Sequence, residues 1–359
     1  MIVALALIAG GFVIGRIVKD NGSSSATPTS LSSDRSTTVP RGGSTTTGGT
    51  GTTTPATRST APPSTVAATP SLDPAMEPAA AAAKAIKPAV VQLETGSGLG
   101  SGFIFTTDGH ILTAAHVVGN SKTLTIRLGD GRTLSGTVLG SDRNTDVAVV
   151  KMDPIADMPV ASLALNIPLQ VGQAVLAVGS PFGLDQTVTA GIVSSVNRPV
   201  EVDSSVVAMV QTDASINPGN SGGALVDMKA RVIGINDQIA SSSGDNAGVG
   251  FAIPIDTAYD VAQRIINNQP LDVGYLGIAG DDTTSGQPGA LVTAITPASP
   301  AAKAGVKVAD VIVEFDNQPI RSFAELVAQV RKHHPGDKLQ IKLLRSGTNM
   351  TVDVTLGKQ

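Results

Sequence analysis

The sequence predicts a mainly β protein that ends in a small α+β module. Three observations carry this. Short apolar runs recur between Gly, Pro and Asn turns over residues 90–253. Two Asp-Gly pairs stand between candidate strands, where they supply the positive φ of tight hairpins. Past residue 270, a single amphipathic helical stretch is surrounded by four strand-like runs. Paired barrels and a sandwich both satisfy the β part.

The chain has 359 residues, enough for two or three domains if all of it folds. Part of it lacks the composition to do so. Over residues 21–70, 37 of 50 positions are Ser, Thr, Pro or Gly, so burial cannot offset the chain entropy and the stretch reads as a disordered linker, assigned to residues 19–76. Before it, residues 1–15 carry no charge and are followed by Arg16 and Lys19. Residues 1–18 are therefore a membrane anchor or a signal segment; the run is short for a spanning helix, yet it has no basic leader and no clear cleavage site.

The ordered elements follow in sequence. The run AAAAAKA at 79–85 has strong helix propensity and Pro88 ends it. Strand-like segments at 103–106 and 111–113 flank Asp108-Gly109, and those at 124–128 and 133–139 flank Asp130-Gly131. Further runs stand at 90–93, 147–150, 174–178, 191–196, 206–211, 223–226, 231–235 and 248–253. Ala258, Val261, Ala262 and Ile265 recur at helical spacing, and the Asn267 to Pro270 turn closes that helix, dividing a domain at 77–270 from one at 271–359. In the second domain Ser322 and Glu325 form a capping box before the stripe Phe323, Leu326, Val327 and Val330. Strands are expected at 291–295, 311–315, 339–344 and 350–356.

Composition removes several kinds of chemistry. With 25 basic and 29 acidic residues the net charge is −4, and no basic cluster offers a nucleic-acid footprint. No cysteine is present, which excludes disulfides, thiolate metal sites and cysteine nucleophiles. Aromatic residues make up 3% and Trp is absent, so base- or sugar-stacking platforms are not expected. His110 and the pair His333-His334 have no further ligand at metal spacing, and no metal or cofactor is predicted. Reactivity has to come from Ser, His, Asp and backbone groups.

Three segments supply it. His116 ends the strand-like run at 111–113 behind two small alanines, Asp146 heads the apolar run 147–150, and Ser221 lies in Gly219-Asn220-Ser221-Gly222-Gly223. A serine hydroxyl needs a base within hydrogen-bond reach and a third group that fixes the base's tautomer. Glycines around Ser221 let the N–H groups of Gly219 and Ser221 converge as an oxyanion hole. The order His, Asp, Ser is that of a chymotrypsin-like double barrel, which selects paired barrels over a sandwich.

The motifs GSGFIFTTDGHILTAAHVV, DRNTDVAVVK, GSPFGL, TDASINPGNSGGAL and GVGFAIPID together resemble the HtrA/Deg family of serine proteases that carry a PDZ domain. The resemblance spans about residues 79–357. It implies two six-stranded barrels followed by a PDZ domain, cleavage of misfolded or exposed polypeptides outside the cytoplasm, a homotrimer, and neither metal nor cofactor. Ser215 occupies the position six residues before Ser221 and is followed by Ile216. Without a carboxylate there, a small or medium aliphatic residue is expected before the scissile bond (P1). Tyr275, Leu276, Gly277 and Ile278 resemble the family's carboxylate-binding loop, which takes an apolar peptide C-terminus as an added strand. Such ligands are expected to regulate activity through loops at 185–188, 215–220 and 238–247. The alternative is a catalytically silent, membrane-tethered peptide-binding sensor or chaperone.

Overall fold

The computed structural model describes residues 67–358 apart from 97, 181–185, 203–204, 218, 240–247 and 285. The chain divides into two units, Met1–Thr60 and Ala61–Gln359. The first unit, and with it the expected N-terminal segment and most of the linker, lies outside the described residues.

Helix α1 (Pro78–Ile86) starts with Pro at its first turn, where the missing N–H costs nothing, and buries Ala81, Ala82 and Ile86. Six strands then close a barrel in the order β1-β2-β3-β6-β5-β4: β1 (Val90–Thr95), β2 (Gly98–Ile104), β3 (His110–Ala114), β4 (Thr123–Arg127), β5 (Thr133–Asp142) and β6 (Val147–Met152). Both Asp-Gly turns form as expected, with φ of 88° at Gly109 and 89° at Gly131. A one-turn helix α2 (Ala115–Val118) leaves β3 and carries His116.

The second sheet comprises β7 (Ser162–Leu163), β8 (Ala174–Gly179), β9 (Thr187–Val202), β10 (Ser205–Thr212), β11 (Ala224–Asp227), β12 (Arg231–Ile239) and β13 (Gly250–Pro254). Its order is β11-β8-β9-β10-β13-β12-β7, and β11 also pairs β12, so six strands form a ring to which β7 adds in parallel. The paired six-stranded barrels expected from the sequence are thus present. Strand β9 runs 16 residues, far beyond the expected 191–196, because β10 pairs it from Val193 to Val202 and carries it through the polar Asn197-Arg198-Pro199 stretch. Helix α3 (Ile255–Ile266) buries the anticipated face of Ala258, Val261, Ala262 and Ile265.

The C-terminal module has the sheet order β14-β15-β16-β18-β19, with β17 on β16. Its strands are β14 (Ile278–Asp282), β15 (Ala290–Ile295), β16 (Val311–Phe315), β17 (Gln318–Pro319), β18 (Lys338–Arg345) and β19 (Thr348–Thr355), with helices α4 (Pro300–Lys303) and α5 (Phe323–Val330). Strand β14 escapes sequence patterning because Gly280, Asp281 and Asp282 have low strand propensity; its pairing with β15 imposes the conformation. At α5 the Ser322 hydroxyl accepts from the Glu325 N–H at 3.1 Å, as the capping box requires. The Glu325 carboxylate turns back to the N–H of Arg321 at 2.7 Å, one residue earlier than the reciprocal bond expected. Among the described residues no helix is long and apolar enough to cross a membrane.

Candidate active site

Asp146 heads β6 in a left-handed conformation with φ 55°, which Asp tolerates better than most residues, and it is buried. This aims its carboxylate across the barrel end at α2. Oδ1 accepts the backbone N–H of His116 at 2.8 Å, and Oδ2 lies 2.5 Å from His116 Nδ1. The Asp146 carbonyl also accepts the N–H of Ala115 at 2.8 Å. A carboxylate can only accept, so Nδ1 carries the ring proton and Nε2 is the unprotonated nitrogen of the neutral ring. The His116 side chain is 49% exposed and opens into a cavity of about 480 Å³.

The Ser221 segment reaches this end of the barrel through Ser101, whose place in the site sequence patterning does not reveal. The N–H of Ser101 donates to the Ser221 carbonyl at 2.9 Å, and its hydroxyl donates to the Gly219 carbonyl at 2.5 Å. That hydroxyl also accepts the Ser180 N–H at 2.8 Å, while Thr113 donates to the Ser101 carbonyl at 2.6 Å. Gly222, with φ 80°, lies so close that a Cβ there would meet the Ser101 carbonyl and the Thr113 hydroxyl. The loop carrying Ser221 is therefore pressed against the end of β3, two residues before the helix that bears His116.

From the other side, the Gly222 N–H donates to the Asn236 carbonyl at 2.7 Å, and the Asn236 side-chain amide spans the carbonyls of Val178, Asn220 and Ala224. Gly219 has φ 104°, a region open to glycine. Among the described residues, no backbone acceptor takes the N–H of Gly219 or of Ser221.

Ser215 is half-buried, and its carbonyl accepts from Thr189 Oγ1 at 2.8 Å and Asn220 Nδ2 at 3.0 Å. Ile216 is 1% exposed and packs so tightly under Gly250 that a Cβ there would come within 2.6 Å of it. Asp213 accepts the Ile192 N–H at 2.7 Å, a strand-end role. Asp142 is likewise structural, accepting from Asn144 and Thr145.

One further residue, not singled out from the sequence, stands in the cavity. Asp237 of β12 is buried, with Oδ1 3.8 Å from His116 Nδ1. Burial first, and then the charge of Asp146, push its carboxyl up to about 8, against the opposing pull of His116. Nothing in the sequence singles it out, since the same strand also holds Arg231, Asn236 and Gln238. His116, Asp146 and Asp237 are the one grouping of metal-ligating residue types among the described residues, and there Nδ1 is already engaged by a carboxylate through a proton.

In the C-terminal module a cavity of about 180 Å³ is lined by the 273–278 segment and by Phe323, Leu326, Val327, Val330 and Arg331. Leu276 is buried, Tyr275 and Ile278 are half-buried, and Gly277 takes φ 80° where a Cβ would strike Ser299. Leu326 belongs to the core, whereas Phe323 and Val327 are half-buried at the groove. His333 sits by Asp316 and Asp337, and His334 Nε2 lies 2.9 Å from Asp260, so both are taken up by carboxylates.

Residues 100–235 match the trypsin-like peptidase domain family and residues 274–356 the PDZ domain family. A solved HtrA-type protease, AlgW with a tripeptide, superposes with a TM-score of 0.64 at 36% identity, covering 77% of this chain and 96% of that one. This chain belongs to the HtrA-type serine protease family. A second solved relative of this HtrA-type chain, the serine endoprotease from Yersinia pestis, gives a TM-score of 0.56 at 36% identity over 77% of this chain and 97% of that one. Among curated relatives, the probable periplasmic serine endoprotease DegP-like of Halomonas elongata is 43% identical over 74% of this chain and 57% of that protein. The periplasmic pH-dependent serine endoprotease DegQ of Escherichia coli is 39% identical over 72% of this chain and 59% of that protein. The HtrA-type chain thus spans less than two thirds of the curated relatives it matches.

Proposed function

We propose that this HtrA-type chain is a serine endopeptidase of protein quality control that cleaves misfolded or exposed polypeptides outside the cytoplasm. Ser221 attacks the peptide carbonyl, and His116 takes its proton at Nε2 and later gives it to the leaving amine. Asp146 holds the tautomer and stabilises the imidazolium. The N–H groups of Gly219 and Ser221 stabilise the oxyanion, a role favoured by their having no backbone acceptor among the described residues. The observation that carries the reading is the double engagement of His116 by Asp146, at ring and backbone, beside the Ser221 loop.

Ser215 and Ile216 form the base of the P1 pocket and favour small or medium aliphatic residues, since neither supplies a carboxylate for Arg or Lys. The loop Tyr275, Leu276, Gly277 and Ile278 receives the C-terminal carboxylate of an apolar peptide, which adds beside β14 and adjusts protease activity. The domains are the N-terminal segment 1–18, the linker 19–76, the protease domain 77–270 and the PDZ domain 271–359. The N-terminal segment tethers the chain to the membrane in a single pass with both domains extracytoplasmic, and the chain assembles as a homotrimer.

A serine-reactive phosphonate tests the core of this. Labelling of the unaltered chain that disappears in Ser221→Ala is the expected result. Equal labelling of the two, or none of either, refutes it and leaves the silent peptide-binding alternative.

A further inference from the structure

The cavity beside His116 contains a carboxyl group for which the triad has no use. Asp237 is 4% exposed, and polar atoms of its side chain, of Asp146 and of the His116 ring lie within 4.8 Å of one another. Its Oδ2 is shielded from solvent and has no hydrogen-bond partner among the described residues. Two carboxylates held this close, one deeply buried, resist carrying charge together, and a proton between them removes both the repulsion and the unmet polar atom.

Among the described residues, no Lys or Arg forms an ion pair with Asp237: the ionisable groups acting on it are Asp146 and His116, and Arg143, which lines the same cavity, donates to Asn120 Oδ1. Of the elements packed on β12, β7 and β13 have no ionisable residue, Asp227 of β11 is paired with Arg231, and His110 of β3 is bonded to Thr106. On α3, Asp260 and Arg264 pair with each other, and Asp256 accepts the Asn166 N–H.

We propose that Asp237 is a positioning residue of the hydrolytic site: its carboxyl donates a hydrogen bond to the Asp146 carboxylate and fixes that group on the Nδ1 side of His116. The inference rests on the triad reading above. Loss of the Asp237 proton to solvent in alkaline solution removes that donor and sets two negative charges against each other, loosening the hold of Asp146 on His116. Activity against pH accordingly passes through a maximum, with a falling alkaline limb that belongs to the coupled array rather than to a single residue.

The test is kcat and KM of the full chain on a fluorogenic peptide with an aliphatic P1 residue, from pH 5.5 to 10. In the unaltered protein kcat is expected to fall on the alkaline side, and Asp237→Asn, which keeps a donor at every pH, loses that fall. At neutral pH, Asp237→Ala lowers kcat about 10- to 100-fold with KM within about twofold, while Asp237→Asn recovers kcat to within about fivefold of the unaltered value. No alkaline fall in the unaltered chain, or one that survives Asp237→Asn, overturns the proposal. Should the variants fail to fold, carbon-13 NMR of the Asp237 carboxyl in Ser221→Ala decides: a midpoint above pH 6 upholds the proposal and one below overturns it. Failure of the unaltered chain to take the phosphonate would sink the triad reading itself; labelling with a carboxyl midpoint below pH 6 sinks only the role of Asp237.

Discussion

Arg331, at the end of α5, donates from its guanidinium to the hydroxyl of Ser205 at 2.8 Å, joining the wall of the PDZ groove to the first residue of β10. The Ser205 hydroxyl in turn donates to Asn144 Oδ1 at 2.9 Å, two residues before Asp146. Lys332 adds a parallel link to Asn197 of β9 at 2.8 Å. A ligand that moves α5 is therefore expected to act on the turn that holds Asp146. Ser205→Ala, which breaks this bridge outside the groove, is expected to leave peptide affinity within about threefold by calorimetry while reducing peptide-dependent change in kcat toward none. Full retention of that change would remove the Arg331–Ser205–Asn144 bridge from the coupling.

The triad assignment makes a graded prediction. Ser221→Ala is expected to lower kcat by about 10⁴- to 10⁶-fold. Asp146→Asn, which stabilises the wrong imidazole tautomer, is expected to lower it by about 10⁴-fold with little change in KM. Steady-state assays on one aliphatic-P1 peptide check both, and a loss under tenfold for Asp146→Asn would contradict the tautomer argument.

Stability against pH offers a separate handle on Asp237. Its carboxyl holds a proton up to about 8 in the folded chain, whereas an unfolded carboxyl loses it near the ordinary value, about 4. Between those limits the folded state binds the extra proton, so the contribution of Asp237 to stability is fully present below about 4 and is lost as pH rises through about 8. In a Ser221→Ala background, the urea midpoint of Asp237→Asn relative to Asp237 should rise from pH 5 to pH 9. A constant difference would contradict the shift.

Gly222 combines φ 80° with contact against Ser101 and Thr113. Gly222→Ala must move either β2 or the Ser221 loop, at a cost of about 2–4 kcal/mol, and should abolish phosphonate labelling even where the chain still folds. Thermal unfolding together with labelling measures both effects.

In the PDZ module, Asp310 is buried and receives Arg345 through Nε at 2.8 Å and Nη2 at 2.7 Å, with the Lys307 N–H at 2.7 Å. Arg345→Ala leaves that carboxylate with only the Lys307 N–H and is expected to destabilise the module. Denaturant unfolding should show the loss, and Asp310→Asn in the same background should return part of it.

Much of this architecture is written locally. Asp-Gly turns demand positive φ, the Ser322 cap and the α3 stripe follow from backbone geometry and helical period, and glycines at 219 and 222 announce a backbone other residues resist. The proposed roles of His116, Asp146 and Ser221 are also read from the sequence, because nucleophile, base and orienting acid are chemically distinct and their order along the chain is informative. Long-range pairing decided the rest. Strand β9 extends through Pro199, and β14 forms through Gly280 and two aspartates, because a neighbouring strand, rather than their own propensity, fixes them. Ser101 and Asp237 carry no local mark at all. Their roles arise only when 118 residues of separation close between Ser101 and Gly219, and when β12 carries a carboxyl to within 3.8 Å of an imidazole on the other barrel. Proximity, desolvation and charge coupling depend on distance in space, so an acid's ordinary place in a strand becomes chemistry only once the two barrels meet.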